Sequence, residues 1–328
     1  MKKPNVVVIG GGTGSFTLLS SLKELPINLT AIVSMADDGG STGILRDQLG
    51  VLPPGDIRQC LVALSDASEE LRDLFTFRFP SGSDLAGHSF GNIFLSAVEA
   101  MTTDFQSAVR VAGDILRIRG TVLPATLDDS RLVLKQGGKE IVGQHLIVTT
   151  KILNRQPDLS LTPNAKLNPD AQKAIQQADL VIIAPGLLYG SLAPALLVSG
   201  MGQVLKDTEA PIVYVANLAN KPLHTQGYAV HDYAAEIERF IAPATLSMVV
   251  YNNELPTEEQ LQTYVAAEEL PVEIQQAALD KADYVAVPLA CLSHDILQQD
   301  PNDTLVTRTF IRHNGAAIAD WTASYLQL

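Results

Sequence analysis

Short apolar runs rich in β-branched residues alternate along this chain with longer stretches whose apolar positions recur every three or four residues. Runs of the first kind suit strands buried on both faces. Stretches of the second kind suit amphipathic helices, and the alternation predicts an α/β fold on a parallel sheet. Residues 6–9 (Val-Val-Val-Ile) predict the first strand, and Phe16, Leu18, Leu19 and Leu22 predict the helix after it. Residues 29–33 predict a second strand beyond Pro26. From 44 to about 120 the pattern is helical throughout: Leu45, Leu49 and Leu52, then 57–64, 70–79, 94–101 and 105–116. Asp56 reads as the N-cap of 57–64, and Ser89 as the cap before 94–101.

Beyond this excursion the period changes to two. Residues 130–135 and 140–143, joined by Gln136-Gly137-Gly138-Lys139, predict a β-hairpin, and Leu159 and Leu161 a further strand. Asn168-Pro169 opens a helix to about 177. Strands are then expected at 179–184, 212–216, 246–251 and 284–287, with helices at 192–205, 228–240 and 258–267. Residues 307–315 read as strand-like, with Asn314 capping a last helix at 316–326. No repeat or Ser/Gly linker divides the chain. The expected fold is one doubly wound, mostly parallel Rossmann-like domain over 1–328, with a helical excursion at about 44–120 and a β-hairpin.

The turns between these elements carry the chemistry. Gly10-Gly11-Gly12-Thr13-Gly14-Ser15 joins the first strand to the first helix. Glycine admits backbone angles and close approaches that a side chain blocks, and the free N–H groups at a helix start attract anions. This turn is a candidate phosphate cradle, with Thr13 and Ser15 as added hydroxyls. It lacks the third glycine of the dinucleotide fingerprint and the Gly-Lys-Ser/Thr ending of a P-loop. A ligand-free tight turn is the alternative.

After the second strand comes Ala36-Asp37-Asp38-Gly39-Gly40-Ser41-Thr42-Gly43. Asp37 and Asp38 could hold Mg²⁺, accept ribose hydroxyls or act as a base, while Gly40 and Ser41 suit close approach to an anion. A solvated acidic turn capping the next helix is the plain alternative. Arg46 and Arg58 bring positive charge near in sequence, and arginine pairs well with phosphate. His88 and Asn92, in Gly87-His88-Ser89-Phe90-Gly91-Asn92, could hydrogen-bond a substrate or simply be structural. Pro185-Gly186-Leu187-Leu188-Tyr189-Gly190-Ser191 repeats the strand–glycine–helix layout of the N-terminus. Tyr189 there could stack a base or merely pack. Asn217, with the loop through His224 and Thr225, follows a strand tip. Arg312 and His313 precede the last helix.

Composition narrows the class. Hydrophobic residues at 46% and charged residues at 18% of 328 describe a globular chain with a full core. A net charge of −13 without a basic block argues against a nucleic-acid polymer as partner. Cys60 and Cys291 match no metal spacing and read as thiols in a reducing compartment. Lys2 and Lys3 precede too short an apolar run for a signal peptide, and no stretch is long enough to span a bilayer. The expectation is a soluble, cytoplasmic protein without membrane insertion.

These motifs, with Leu52-Pro53-Pro54-Gly55-Asp56-Ile57-Arg58, resemble in order those of the bacterial gluconeogenesis factor family, within the superfamily of 2-phospho-L-lactate transferase. The chain differs from the family pattern at Gln59, at Leu187 and across 218–225. The resemblance implies a cytoplasmic protein needed for normal cell shape on gluconeogenic carbon sources. It also implies binding of UDP-sugars, chiefly UDP-N-acetylglucosamine, and a link to peptidoglycan precursors. The transferase relatives move a nucleotide-activated phospholactyl group onto a deazaflavin, using Mg²⁺.

The first reading is a regulatory nucleotide-sugar binding protein, acting on a protein partner and forming a homo-oligomer. Its ligand would lie on Gly11, Gly12, Thr13, Gly14 and Ser15, with Asp37 or Asp38 on ribose or a magnesium-bound phosphate and Arg312 adding charge. Gly40, Ser41, Arg58, His88, Asn92, Gly186, Tyr189 and Asn217 complete the candidate site. No catalytic triad or activated nucleophile is evident. The second reading is an Mg²⁺-dependent phospholactyl or nucleotidyl transferase with Asp37 and Asp38 as metal ligands. A nicotinamide-dependent oxidoreductase is a third, disfavoured by the missing glycine.

Overall fold

The computed structural model describes residues 2–295 and 311–328, apart from Ser81, Ser83, Thr103 and Ala267. Seven strands form the central sheet: β1 (Asn5–Gly10), β2 (Asn28–Val33), β3 (Thr121–Pro124), β4 (Leu180–Ile183), β5 (Ile212–Val215), β6 (Met248–Asn252) and β7 (Val285–Leu289). Every pairing is parallel, and the spatial order is 3-2-1-4-5-6-7. Val8 of β1 faces Ala31 of β2 on one side and Ile182 of β4 on the other. Successive side chains point to opposite faces, so Val7 and Ile9 join one core and Val6 and Val8 the other. This is why the strands read as unbroken apolar runs. The order of winding reverses between β1 and β4, and such a sheet opens a crevice outside the strand ends there.

Helix α1 (Gly12–Leu22) leaves β1 directly and packs against α3 and the last helix, Gly315–Leu326. Between β2 and β3 run α2 (Gly40–Leu49), α3 (Gly55–Leu64), α4 (Glu69–Thr76), α5 (Phe90–Met101) and α6 (Phe105–Ile115). The helical excursion is therefore present, and the expected caps form: Ser89 Oγ accepts the Asn92 amide at 3.2 Å, and Asn314 Oδ1 accepts that of Ala316 at 3.1 Å. Lys139–Val142, Arg131–Gln136 and Asp158–Thr162 form a separate antiparallel sheet in that order. A short helix, α7 (Gln144–Val148), follows its hairpin.

Four expectations need correction. Asp56 does not cap α3, whose N-cap is Pro54; Asp56 lies in the first turn with its side chain turned elsewhere. Strand β3 was not foreseen. The helix expected over 192–205 is broken: a π-helical turn, Leu188–Leu192, runs into Ala193–Leu196, and Gly200 at φ +97° separates these from Met201–Asp207. Helix α2 starts well before Leu45 and stops at Leu49, where Gly50 turns left-handed, so Leu52 lies beyond it. Of the strand-like 307–315, residues 307–310 lie outside the described residues, and His313 makes an isolated bridge to Leu292. Among the described residues, no helix is long and apolar enough to cross a membrane.

Candidate functional site

The two glycine turns recognised in the sequence meet at the switch point. Gly11 is extended, and Gly12 begins α1 at φ +69°, a left-handed conformation that strains any side chain. A Cβ on Gly14 would overlap the carbonyl oxygen of Pro185, so the turn after β1 rests directly on the turn after β4. Ser15 is buried, and its hydroxyl donates to Gly11 O at 3.3 Å, which fastens its own turn. Thr13 is half-buried at the start of α1. Across the crevice, Asn217 Nδ2 donates to Gly186 O at 2.7 Å, and Tyr214 OH donates to Asn217 Oδ1 at 2.7 Å. The tip of β5 thus clamps the second turn. Ser191 Oγ lies 3.9 Å from where a Gly12 Cβ would stand.

The acidic loop after β2 divides its two carboxylates. Asp38 turns away from the crevice. Its oxygens accept the amides of His145 at 2.7 Å and Gln144 at 3.2 Å, with Arg131 Nη1 3.8 Å away. It therefore caps α7 from outside. Asp37 stays at the crevice, where Oδ1 accepts the Gly39 amide at 3.0 Å and Thr42 supplies a second hydrogen bond. A Cβ on Gly55 would overlap Asp37 Oδ2, so α3 begins against this carboxylate. The group beside Asp37 is Asp56, which the sequence reading took for a helix cap. Burial, and then the charge of Asp37, push the Asp56 carboxyl up to about 7. Burial also raises Asp37, and hydrogen bonds from Gly39 and Thr42 and the charge of Arg58 pull it back.

Two carboxylates and a neighbouring hydroxyl form an oxygen donor set that suits Mg²⁺. Among the described residues there is no group of three or more His, Cys, Asp or Glu placed to hold a metal. A cation here would take its other ligands from phosphate and water.

Opposite these acids lies a polar network drawn from the starts of α2, α3 and α5. Arg58 is buried, and its Nε donates to Asn92 Oδ1 at 3.0 Å. Asn92 Nδ2 reaches Ser41 Oγ at 3.4 Å and Thr42 Oγ1 at 3.5 Å. Ser41 Oγ and His88 Nδ1 are 2.9 Å apart. Ser41, Arg58, His88 and Asn92 are thus one cluster, although His88 and Asn92 stand far from Ser41 in sequence. Gly40 is exposed as the first residue of α2. Arg46 is excluded from the cluster: it pairs with Asp129 and donates to Ser130 O at 2.8 Å.

Tyr189 is also outside. Its ring is fully buried, and its hydroxyl lies 2.8 Å from that of Tyr228 and donates to Arg155 O at 3.1 Å. This is packing, with no face left for a base. Arg312 is half-buried next to His313, whose Nε2 lies 3.0 Å from Ala216 O at the end of β5. Burial lowers the His313 imidazole to about 4, so it is neutral there and its Nε2–H is the donor.

Asp56 and Thr42 are the residues the sequence reading missed. Their signal was the glycine that precedes Asp56 after two prolines, a start chosen for close approach rather than for capping.

The fold and this crevice define a doubly wound α/β protein with an anion-type turn and an acidic pair at its switch point. Residues 6–290 match the family model described as 2-phospho-L-lactate transferase CofD. A protein of Nostoc sp. is 41% identical over 319 residues, 96% of this chain. The gluconeogenesis factor of Bacillus subtilis is 35% identical over 305 residues, 91% of this chain and 95% of that protein. A crystal structure of a UPF0052 family member from Bacillus halodurans has a TM-score of 0.88 at 32% identity, covering 98% of this chain and 99% of that one. The chain spans 67% of the Nostoc protein's length and 63% of that of a Clostridium acetobutylicum relative. It belongs to the 2-phospho-L-lactate transferase CofD family, among relatives that carry the gluconeogenesis factor name.

Proposed function

We propose that this protein binds a UDP-sugar, chiefly UDP-N-acetylglucosamine, and acts as a regulator of cell shape during growth on gluconeogenic carbon sources. One observation carries the binding half: the Gly11–Gly14 turn rests on the 185–191 turn at the switch point, where open α/β sheets take nucleotides. The diphosphate would lie on the amides of Gly11, Gly12, Thr13 and Gly14. Arg58 and the hydroxyls of Thr13 and Ser41 offer further contacts, and Arg312 adds positive charge. His88 and Asn92 orient the Ser41–Thr42 edge, and Asn217 holds Gly186 in place. The regulatory half is supported by Asp38, which joins the acidic loop to α7 and so to the hairpin sheet. A ligand that moves the loop can move that surface, provided it binds the two arrangements unequally. The site would act inside the cytoplasm on a protein partner.

The acidic pair favours a second reading, a transferase. Mg²⁺ held by Asp37 and Asp56 would offset phosphate charge, while Arg58 and the turn amides would hold the transferring group in line. Calorimetry with UDP-N-acetylglucosamine separates the two. Binding without turnover across nucleotide-activated donors supports the regulator, and consumption of a donor supports the transferase. No binding with or without Mg²⁺ removes the first reading.

A further inference from the structure

The turn best placed for a phosphate already has a carboxylate against it. Asp56 lies beside the Gly11–Gly12 bend, where the Gly12 amide favours its charged form. Asp56 Oδ1 lies 3.7 Å from where a Gly12 Cβ would stand, and a Cβ on Gly11 would overlap Asp56 Oδ2. The bareness of Gly11 therefore makes room for an internal carboxylate. Asp56 can reach the turn because α3 starts one residue earlier at Gly55, with Pro54 as the cap, so its side chain is not used at its own helix end. Asp37 stands beside it and adds a second negative charge. Arg58 offsets the pair only in part and is shared with Asn92.

We propose that Asp56 is a built-in occupant of the Gly11–Gly12 turn that sets which anions the site admits. Bare phosphates are refused, and a diphosphate enters when a divalent cation accompanies it and takes up the Asp37 and Asp56 carboxylates. This rests on the reading of the turn as a phosphate cradle. Placing an unscreened anion against like charge is unfavourable. The same acids become partners once a cation lies between. Asp56 is thus a specificity-determining residue: it discriminates the chelated ligand from the free phosphates that crowd a cell.

The probe is inorganic pyrophosphate, titrated calorimetrically into the full chain in EDTA and in Mg²⁺, at a pH well above 7 so that the Asp56 carboxyl is ionised. Wild type is expected to bind only with Mg²⁺. Asp56→Asn, which keeps the shape and removes the charge, is expected to bind at least about tenfold tighter than wild type in EDTA and to gain little from Mg²⁺. A companion measurement reads the ligand-free turn: the Gly12 amide should exchange with solvent at least about tenfold faster in Asp56→Ala than in wild type. If Asp56→Asn binds pyrophosphate in EDTA no tighter than wild type, or if Gly12 exchange is unchanged, the proposal is wrong. Pyrophosphate carries no nucleoside. A failure of UDP-N-acetylglucosamine alone to bind therefore overturns the ligand assignment and leaves this inference standing.

Discussion

Gly14 of the first turn lies against the carbonyl oxygen of Pro185 so closely that no side chain fits between them. The obstacle is backbone on both sides, which cannot rotate away. Gly14→Ala is therefore expected to cost about 1–3 kcal/mol or more, as overpacking does, and to prise the two turns apart. Urea unfolding should show a lower midpoint at unchanged slope, and nucleotide affinity should fall with it. An unaltered midpoint would mean that the turns do not touch in solution.

Asp38 stands apart from Asp37 although the two are adjacent. Its carboxylate accepts the amides of Gln144 and His145, and loss of such a cap costs about 1 kcal/mol. Asp38→Ala should speed amide exchange across Gln144–Val148 about fivefold while leaving the Asp37–Asp56 pair in place. Exchange that is the same in both proteins would detach α7 from the acidic loop and weaken the regulatory reading.

Arg58 joins the polar network to the acidic pair. Arg58→Lys keeps a charge but cannot supply the same fork to Asn92 and a phosphate. Charge-assisted hydrogen bonds contribute about 1.5–3 kcal/mol, so affinity for UDP-N-acetylglucosamine should fall about ten- to a hundredfold. A dissociation constant within twofold of wild type would place the phosphate elsewhere.

His313 gives a pH dependence of definite sign. Its imidazole is held near 4 by burial, below the usual 6.5, so the unfolded chain binds the extra proton first. Stability from this group is present above about 6.5 and is lost as pH falls toward 4, by about 3 kcal/mol in all. His313→Gln keeps a donor for Ala216 O and removes the titration. Between pH 7.5 and 4.5 the wild type should lose stability relative to His313→Gln, by up to about 3 kcal/mol. A constant difference would show that His313 does not titrate with folding.

The inner strands of the sheet were legible because they are buried on both faces, which leaves runs such as Val6-Val7-Val8-Ile9 that nothing else explains. Strand β3 was not, because four residues ending in Pro124 carry too little pattern and are held by β2 alone. The glycine turns and the grouping of Ser41 with Arg58 could be suspected from spacing. That Arg46 leaves the group could not, since its partner Asp129 lies far along the chain. Asp56 was misread for a specific reason: an aspartate after Pro-Pro-Gly has the local look of a cap, and only the sheet order brings Gly11 and Gly12 to it. Between stacking a base and packing, the sequence could not decide for Tyr189, because a tyrosine after a glycine turn looks the same whether it faces a ligand or Tyr228.

The most direct measurement is a crystal structure of the full chain soaked with UDP-N-acetylglucosamine and Mg²⁺. Density for the diphosphate should lie within hydrogen-bond distance of the Gly11–Gly14 amides, with a cation between it and the carboxylates of Asp37 and Asp56. A nucleotide seated away from the β1–β4 switch point, with Asp56 still against the Gly11–Gly12 turn, would contradict the site and everything built on it.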